Sequence, residues 1–236
     1  MITTVIFDLD DTLYDEIEYC KSGLDAVAEF LVNRPESISA ISTTVQADMK
    51  RIYKVLWEQF KTGNRTRTFN AALDKLDINY DDELISELIE VYRRHKPKIK
   101  LPPDSRDALC ELSTKYTLAL LTDGFLPAQQ FKVQALGIEK YFKSIVYTEQ
   151  LGREFWKPSP VGYEKILHSL MAKPENTVYI ADNEKKDFIA PNKLGFATIQ
   201  MLRPARLHTS VCEQAGDAPQ HIIRQISLLS ALLERL

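Results

Sequence analysis

Cysteine is nearly absent from this chain of 236 residues, and the three present, Cys20, Cys110 and Cys212, are odd in number and far apart. Neither a disulfide framework nor a zinc cluster can be written from them, and a reducing cytoplasm is the expected setting. An excess of either charge is also missing: 30 Lys and Arg against 33 Asp and Glu leave a net charge of -3. That balance offers no electrostatic footprint for a nucleic-acid polymer or an anionic membrane, so any anionic ligand must be held locally. No apolar run approaches the roughly 20 residues needed to span a bilayer, the longest candidates being Leu118 to Leu121 and the C-terminal leucines. The opening MITTVIFDLD has no basic n-region and places Asp8 where a signal would be apolar, so no secretory signal is expected. Internal repeats and low-complexity tracts are missing too. What remains is an ordinary globular composition, 44% hydrophobic and 27% charged, in a chain long enough for one large α/β domain or a core with a smaller insert.

Two rhythms divide the chain. Ile2 to Phe7 is a β-prone run that stops at Asp8. From about Asp15 to His95 the pattern is helical, with Leu24, Val27, Ala28 and Leu31 at i, i+3, i+4, i+7 and a second stripe through Leu84, Ile85, Leu88, Ile89 and Tyr92. About four helices are expected there. The proline-rich KPKIKLPPD, residues 96–104, closes this region. Strand and helix then alternate: a helix near Ser105 to Lys115, strand YTLALL, a helix from Pro127 to Leu136, and strand SIVY at 144–147. A helix N-capped by Ser159 with Pro160 in its first turn comes next, then strand VYIA at 178–181, a helix to Leu194 and strand FATIQM at 196–201. A C-terminal helix aligns Ile226, Leu229, Leu233 and Leu236. Strands separated by helices imply right-handed crossovers, a mainly parallel Rossmann-like α/β sheet with helices on both faces, and an inserted helical segment.

Ligands of such sheets bind beyond the carboxyl ends of the strands. The residues there are Asp8 and Asp10, then Thr122, Asp123 and Gly124, then Lys157, then Asp182 and Asp187. Singly, each reads as a cap, a turn or a solvated charge. Together they fit the attack of an anion on an anion. A carboxylate about 4 Å from a phosphate dianion meets roughly 8 kcal/mol of repulsion at an effective dielectric near 20, which a divalent cation such as Mg²⁺ and one lysine offset. Asp8 and Asp10, two apart in extended chain, project to one side with Leu9 turned away. Asp182 and Asp187 would stand about 140° apart on a helix, so Asp182 is expected at the strand end and Asp187 past a turn.

These residues resemble the haloacid dehalogenase-like hydrolase superfamily, in its phosphatase branch with a helical cap after the first strand. The DxDxT motif matches Asp8, Asp10 and Thr12, and the second motif matches Thr122, Asp123 and Gly124. Lys157 with Pro158 matches the third, and the acidic pair Asp182 and Asp187 the fourth. The resemblance implies a catalytic core over 1–14 and 98–236 and a cap over 15–97. It implies that Asp8 attacks phosphorus, Asp10 serves as acid then base, and Thr122 with the Asp123 backbone and Lys157 holds the phosphate. Mg²⁺ would sit on Asp8, Asp10 through its carbonyl, and Asp182, with Asp187 supporting the metal or orienting Lys157. The expected partner is a small phosphorylated metabolite, a nucleotide or sugar phosphate. Asp10 favours phosphoryl chemistry over dehalogenation, since a departing halide needs no proton. Asp123 departs from the commoner Asn, and its side chain is expected to turn away from phosphate.

A phosphosugar mutase on the same chemistry, or a signalling module in which Asp8 merely accepts phosphate, are the alternative readings. Arg153 and Trp156 are candidates for the substrate entrance, and Arg65 and Arg67 for a second anionic group. Asp11 and Asp15 read as turn and hinge, Cys20 as packed, and the histidines His95, His168, His208 and His221 as surface or structural residues.

Overall fold

The computed structural model describes residues 1–34 and 45–236. Residues 35–44, part of the stretch expected to be helical from sequence, lie outside the described residues. The chain divides into two compact units, one of Met1–Ile17 with Ile99–Leu236 and one of Glu18–Lys98.

The first unit is built on a six-stranded sheet: β1 (Thr4–Phe7), β2 (Thr117–Thr122), β3 (Ser144–Tyr147), β4 (Thr177–Ala181), β5 (Ala197–Met201) and β6 (His221–Ile223). The order is β3-β2-β1-β4-β5-β6, and every pairing is parallel. Parallel strands are covered on both faces and read as continuous apolar runs; accordingly Val5, Ile6 and Phe7 of β1 are fully buried. Helices α5 (Pro103–Lys115), α6 (Ala128–Leu136), α7 (Val161–Leu170), α8 (Ile189–Leu194) and α9 (Leu229–Leu233) connect or follow the strands. Glycines in left-handed conformation end α6 and α8, Gly137 at φ 63° and Gly195 at φ 87°, a geometry that is strained for other residues. One core cluster runs from Ile6, Leu121 and Val146 through Tyr163 and Tyr179 to Phe188 and Phe196.

Among its described residues the second unit is helical, comprising most of α1 (Glu16–Val32) with α2 (Val45–Lys61), α3 (Thr68–Lys75) and α4 (Asp82–Arg94). The expected α1 stripe of Leu24, Val27, Ala28 and Leu31 is buried, as is Cys20, and Leu84 and Leu88 form the buried line of α4.

Two element expectations need correction, and one strand was not expected. The strand β6 carried no legible signal, because it is a three-residue edge strand in which only Ile223 is buried. The C-terminal helix begins as a 3₁₀ turn at Ile226–Leu228, so the stripe through Ile226 and Leu236 is not one α-helical face. Ser159 gives α7 only a weak start: Val161 N–H lies 3.4 Å from its hydroxyl, and the helix opens at Val161 rather than at Pro160. Pro191 sits in the first turn of α8, where a missing N–H is tolerated.

Candidate active site

The central strand β1 has β2 on one side and β4 on the other. Neighbours reached by opposite crossovers leave a crevice at the strand ends, the switch point at which such sheets bind ligands. Asp8 leaves β1 there, its N–H still donating to the Ile180 carbonyl at 2.8 Å. Thr122 ends β2, and Asp182 follows β4. A turn then returns the chain, with Asn183 N–H donating to Asp187 Oδ2 at 3.0 Å and Asp187 N–H donating to the Asn183 carbonyl at 3.0 Å. Asp182 at the strand end and Asp187 past a turn is the arrangement their spacing required.

The Lys157 ammonium sits at the centre. It donates to Asp8 Oδ1 at 2.6 Å and to the Tyr179 hydroxyl at 3.1 Å, and lies 2.8 Å from Asp187 Oδ1. Asp8, Asp182 and Asp187 are all buried and can bring one carboxylate oxygen each within 4.8 Å of the others. Two of the three carboxylates thus pair with one lysine. Burial and the neighbouring Asp187 push Asp8 up to about 7 despite Lys157. Burial, with Asp187 and Asp8, pushes Asp182 up to about 10. Lys157 is held well above the ordinary lysine value, because Asp187 and Asp8 outweigh its desolvation. Asp182 Oδ2 is buried without a hydrogen-bond partner. A surplus of hard oxygen donors with an orphaned carboxylate oxygen is the donor set a small divalent cation requires, so these residues fit one.

Asp8 and Asp10 line the same cavity of about 150 Å³, shared with Trp156, Lys157, Asp182, Asp187 and others, while Leu9 is fully buried between them. Asp10, however, stands apart from the three-carboxylate group. Its oxygens accept from Lys132 Nζ at 2.8 and 2.9 Å, from Gln129 Nε2 at 2.9 Å and from the Tyr14 hydroxyl. Burial alone would raise its pKa, but these donors, Lys132 foremost, hold it below the ordinary carboxylate value. Asp11, in left-handed conformation at φ 53°, is a clamp: Oδ1 accepts Glu16 N–H at 2.9 Å and Oδ2 accepts Leu207 N–H at 2.6 Å.

Thr122 is 1% exposed, and its hydroxyl accepts from Gln129 Nε2 at 2.6 Å. The Asp123 carboxylate is occupied within the protein. It accepts from the Thr148 hydroxyl at 2.8 Å and from Lys157 N–H at 3.2 Å, and pairs with Lys186 at 2.6 Å. Lys157 and Lys186 outweigh burial and keep its pKa low. Trp156 lines the cavity with Nε1 donating to Glu149 at 3.1 Å, whereas Arg153 stacks on Phe125 with its guanidinium 4.5 Å from the ring centre. His208 is exposed, as expected of a surface residue, and stands at the rim of the cavity 3.8 Å from Glu16. Arg65 and Arg67 lie in an exposed 3₁₀ turn, Arg65 over the Phe60 ring.

Sequence reading missed Tyr14, Gln129, Lys132, Tyr179 and Lys186. A signal existed for two of them. Gln129 and Lys132 fall on the buried side of α6 with Ala128, Val133 and Leu136, and polar residues at core positions of a helix mark a partner or a site.

The sequence model of the haloacid dehalogenase-like hydrolases matches residues 2–195. The chain belongs to that family. It is similar to the glyceraldehyde 3-phosphate phosphatase of Methanopyrus kandleri, 29% identical over 210 residues, or 86% of this chain and 85% of the relative. Among solved structures it resembles a 2-haloacid dehalogenase from Pseudomonas syringae pv. Tomato with a TM-score of 0.66 and 22% identity, covering 100% of this chain and 99% of that one. It resembles the HAD-hydrolase YfnB of Bacillus subtilis, solved bound to magnesium, equally well: TM-score 0.66, 23% identity, 98% of both chains. Likeness at that identity establishes the haloacid dehalogenase-like fold and leaves the chemistry to the site. No helix among the described residues is long and apolar enough to cross a membrane.

Proposed function

We propose that this chain is a Mg²⁺-dependent phosphatase that hydrolyses a small phosphate monoester, a nucleotide or sugar phosphate, through an aspartyl-phosphate on Asp8. The observation that carries the reading is the pair of unlike carboxylates at one cavity: Asp8 on Lys157 beside two further acids, and Asp10 held separately by its own donors. A dehalogenase has no use for the second carboxylate, and the relative that matches 86% of this chain is named as a phosphatase.

Asp8 would attack phosphorus while Asp10, which must carry a proton once the phosphate ester is bound, gives that proton to the departing alkoxide; Asp10, now a carboxylate, then takes a proton from the water that hydrolyses the acyl phosphate, which returns Asp10 to the acid and Asp8 to the carboxylate. Lys157 would neutralise Asp8 and a phosphate oxygen, and Thr122 with the Asp123 backbone would hold the others. Asp8, Asp182, Asp187 and the Asp10 carbonyl would hold Mg²⁺, whose two positive charges oppose the repulsion between Asp8 and the phosphate. The segment 15–97, inserted between β1 and β2, would serve as the cap that excludes water and selects the leaving group.

The test is phosphate release from a panel of nucleotides, sugar phosphates and p-nitrophenyl phosphate, comparing wild type with Asp8→Asn. The expected result is Mg²⁺-dependent release that chelator abolishes and that Asp8→Asn lowers by about 10³-fold or more. Absence of release from folded, Mg²⁺-loaded wild type would sink the proposal, as would activity retained in Asp8→Asn.

A further inference from the structure

Lys132 is a charged side chain in the interior, 3% exposed, on a helix that otherwise turns apolar residues and Gln129 inward. A buried lysine is costly unless its partner is close and well aligned, and removing one partner leaves a charge stranded. Here the partner is Asp10, with Nζ 2.8 and 2.9 Å from its two oxygens. Gln129, three residues earlier and so on the same side of α6, donates one amide nitrogen to Asp10 Oδ2 at 2.9 Å and to the Thr122 hydroxyl at 2.6 Å. The Tyr14 hydroxyl fixes Oδ1. Asp10 is therefore gripped from the helix that follows the next strand, β2, although it stands only two residues from Asp8.

That grip separates two carboxylates that the chain places side by side. Asp8 falls in with Asp182 and Asp187 around Lys157, and Asp10 does not. Without a cation of its own, Asp10 would be drawn to the same positive charge as its neighbour, and a carboxylate held there cannot face a leaving group. We propose that Lys132 and Gln129 are positioning residues for proton transfer, which set the orientation of the Asp10 carboxylate and keep it out of the Asp8 cluster. Lys132 is the anchor. Gln129 ties the same carboxylate to Thr122 at the end of β2, so that the proton-transferring group and one wall of the phosphate pocket move together. The inference rests on the phosphatase reading, because it concerns the leaving group's proton.

The readout that separates positioning from mere packing is leaving-group dependence. A poor alkoxide leaving group needs a proton in the transition state and an activated phenolate does not. The experiment measures kcat/KM, which reports steps up to the first departure, for the best alkyl phosphate and for p-nitrophenyl phosphate in wild type, Asp10→Asn, Lys132→Met, Gln129→Leu and the double variant Asp10→Asn with Lys132→Met. General acid catalysis contributes about 10²–10⁴-fold. Lys132→Met is expected to lower the alkyl-to-aryl ratio of kcat/KM by at least about 30-fold, somewhat less than the whole of that contribution, and Gln129→Leu by less. The double variant is expected to match Asp10→Asn alone, since Lys132 acts through Asp10. It also removes both charges together, so it stays informative where Lys132→Met fails to fold. An equal loss on both substrates, or a double variant about tenfold worse than Asp10→Asn on the alkyl phosphate, overturns the inference. Wild type that turns over neither substrate overturns the phosphatase reading and this inference with it.

Discussion

At the scale of single residues, the site is governed by how many charges share how little solvent. Asp8 and Asp187 flank one ammonium with Asp182 close beside them, and two of the three carboxyls are pushed up, to about 7 for Asp8 and about 10 for Asp182, from an ordinary value of 3.8. In the unfolded chain both release their protons near 3.8, so between that value and 7 to 10 the folded state binds more protons than the unfolded one. Stability of the metal-free protein then falls as pH rises across that window. Asp10 and Asp123, held low, have finished titrating beneath it, and Lys157, held high, has not begun. A divalent cation displaces the same protons and reverses the trend. Thermal unfolding in chelator is expected to give a lower Tm at pH 8.5 than at pH 5.5, and Mg²⁺ to raise Tm more at pH 8.5. A chelator Tm that is flat or rises over this range would contradict the shared-charge account. The residue types and their order at strand ends were readable without a structure, because each follows an apolar run. The separation of Asp10 from Asp8 was not, because its cause lies on α6.

At the scale of elements, helices were legible where a stripe and its punctuation agree. The α4 helix has both. Asp81, in extended conformation, accepts Leu84 N–H at 2.8 Å and satisfies one of the four free donors at the helix start. Asp81→Ala is expected to cost about 1 kcal/mol, read as a lower midpoint in urea unfolding, whereas Asp81→Asn should keep most of it. An unchanged midpoint in Asp81→Ala would show that the cap contributes nothing. Five strands announced themselves as apolar runs bounded by polar residues. The sixth, β6, did not: hydrogen bonds to β5 define it, and those are invisible in the segment's own sequence. The start of α7 was misread for a related reason, since Ser159 suited a cap by type while the backbone placed Val161 N–H at the limit of its reach.

At the scale of the whole molecule, long-range contacts shape the loop that carries Asp10. Arg203, 6% exposed and just beyond β5, donates to the Thr12 and Leu13 carbonyls at 3.0 Å each and to the Ser105 hydroxyl. It is one guanidinium fixing three groups from two distant segments, a task its planar fork performs and an ammonium cannot. Arg203→Met is expected to destabilise the protein by about 3 kcal/mol through buried carbonyls left unsatisfied and to lower kcat/KM for a phosphate ester, with Arg203→Lys recovering only part of either. Wild-type stability in Arg203→Met would remove the clamp from the account. Nothing near Arg203 in the sequence marks it, for MLRPAR reads as an ordinary basic loop.

The sequence by itself determined the parallel α/β core, its strand-end carboxylates and lysine, and the family, because hydrophobic period and residue type are local properties that survive without coordinates. Only the tertiary structure decided which charges meet. Lys132 reaches Asp10 across 122 positions, Lys186 reaches Asp123 across 63 and Arg203 reaches Thr12 across 191. A salt bridge or hydrogen bond depends on ångström distances between side chains, and the crossovers of the sheet, which no local pattern encodes, set those distances.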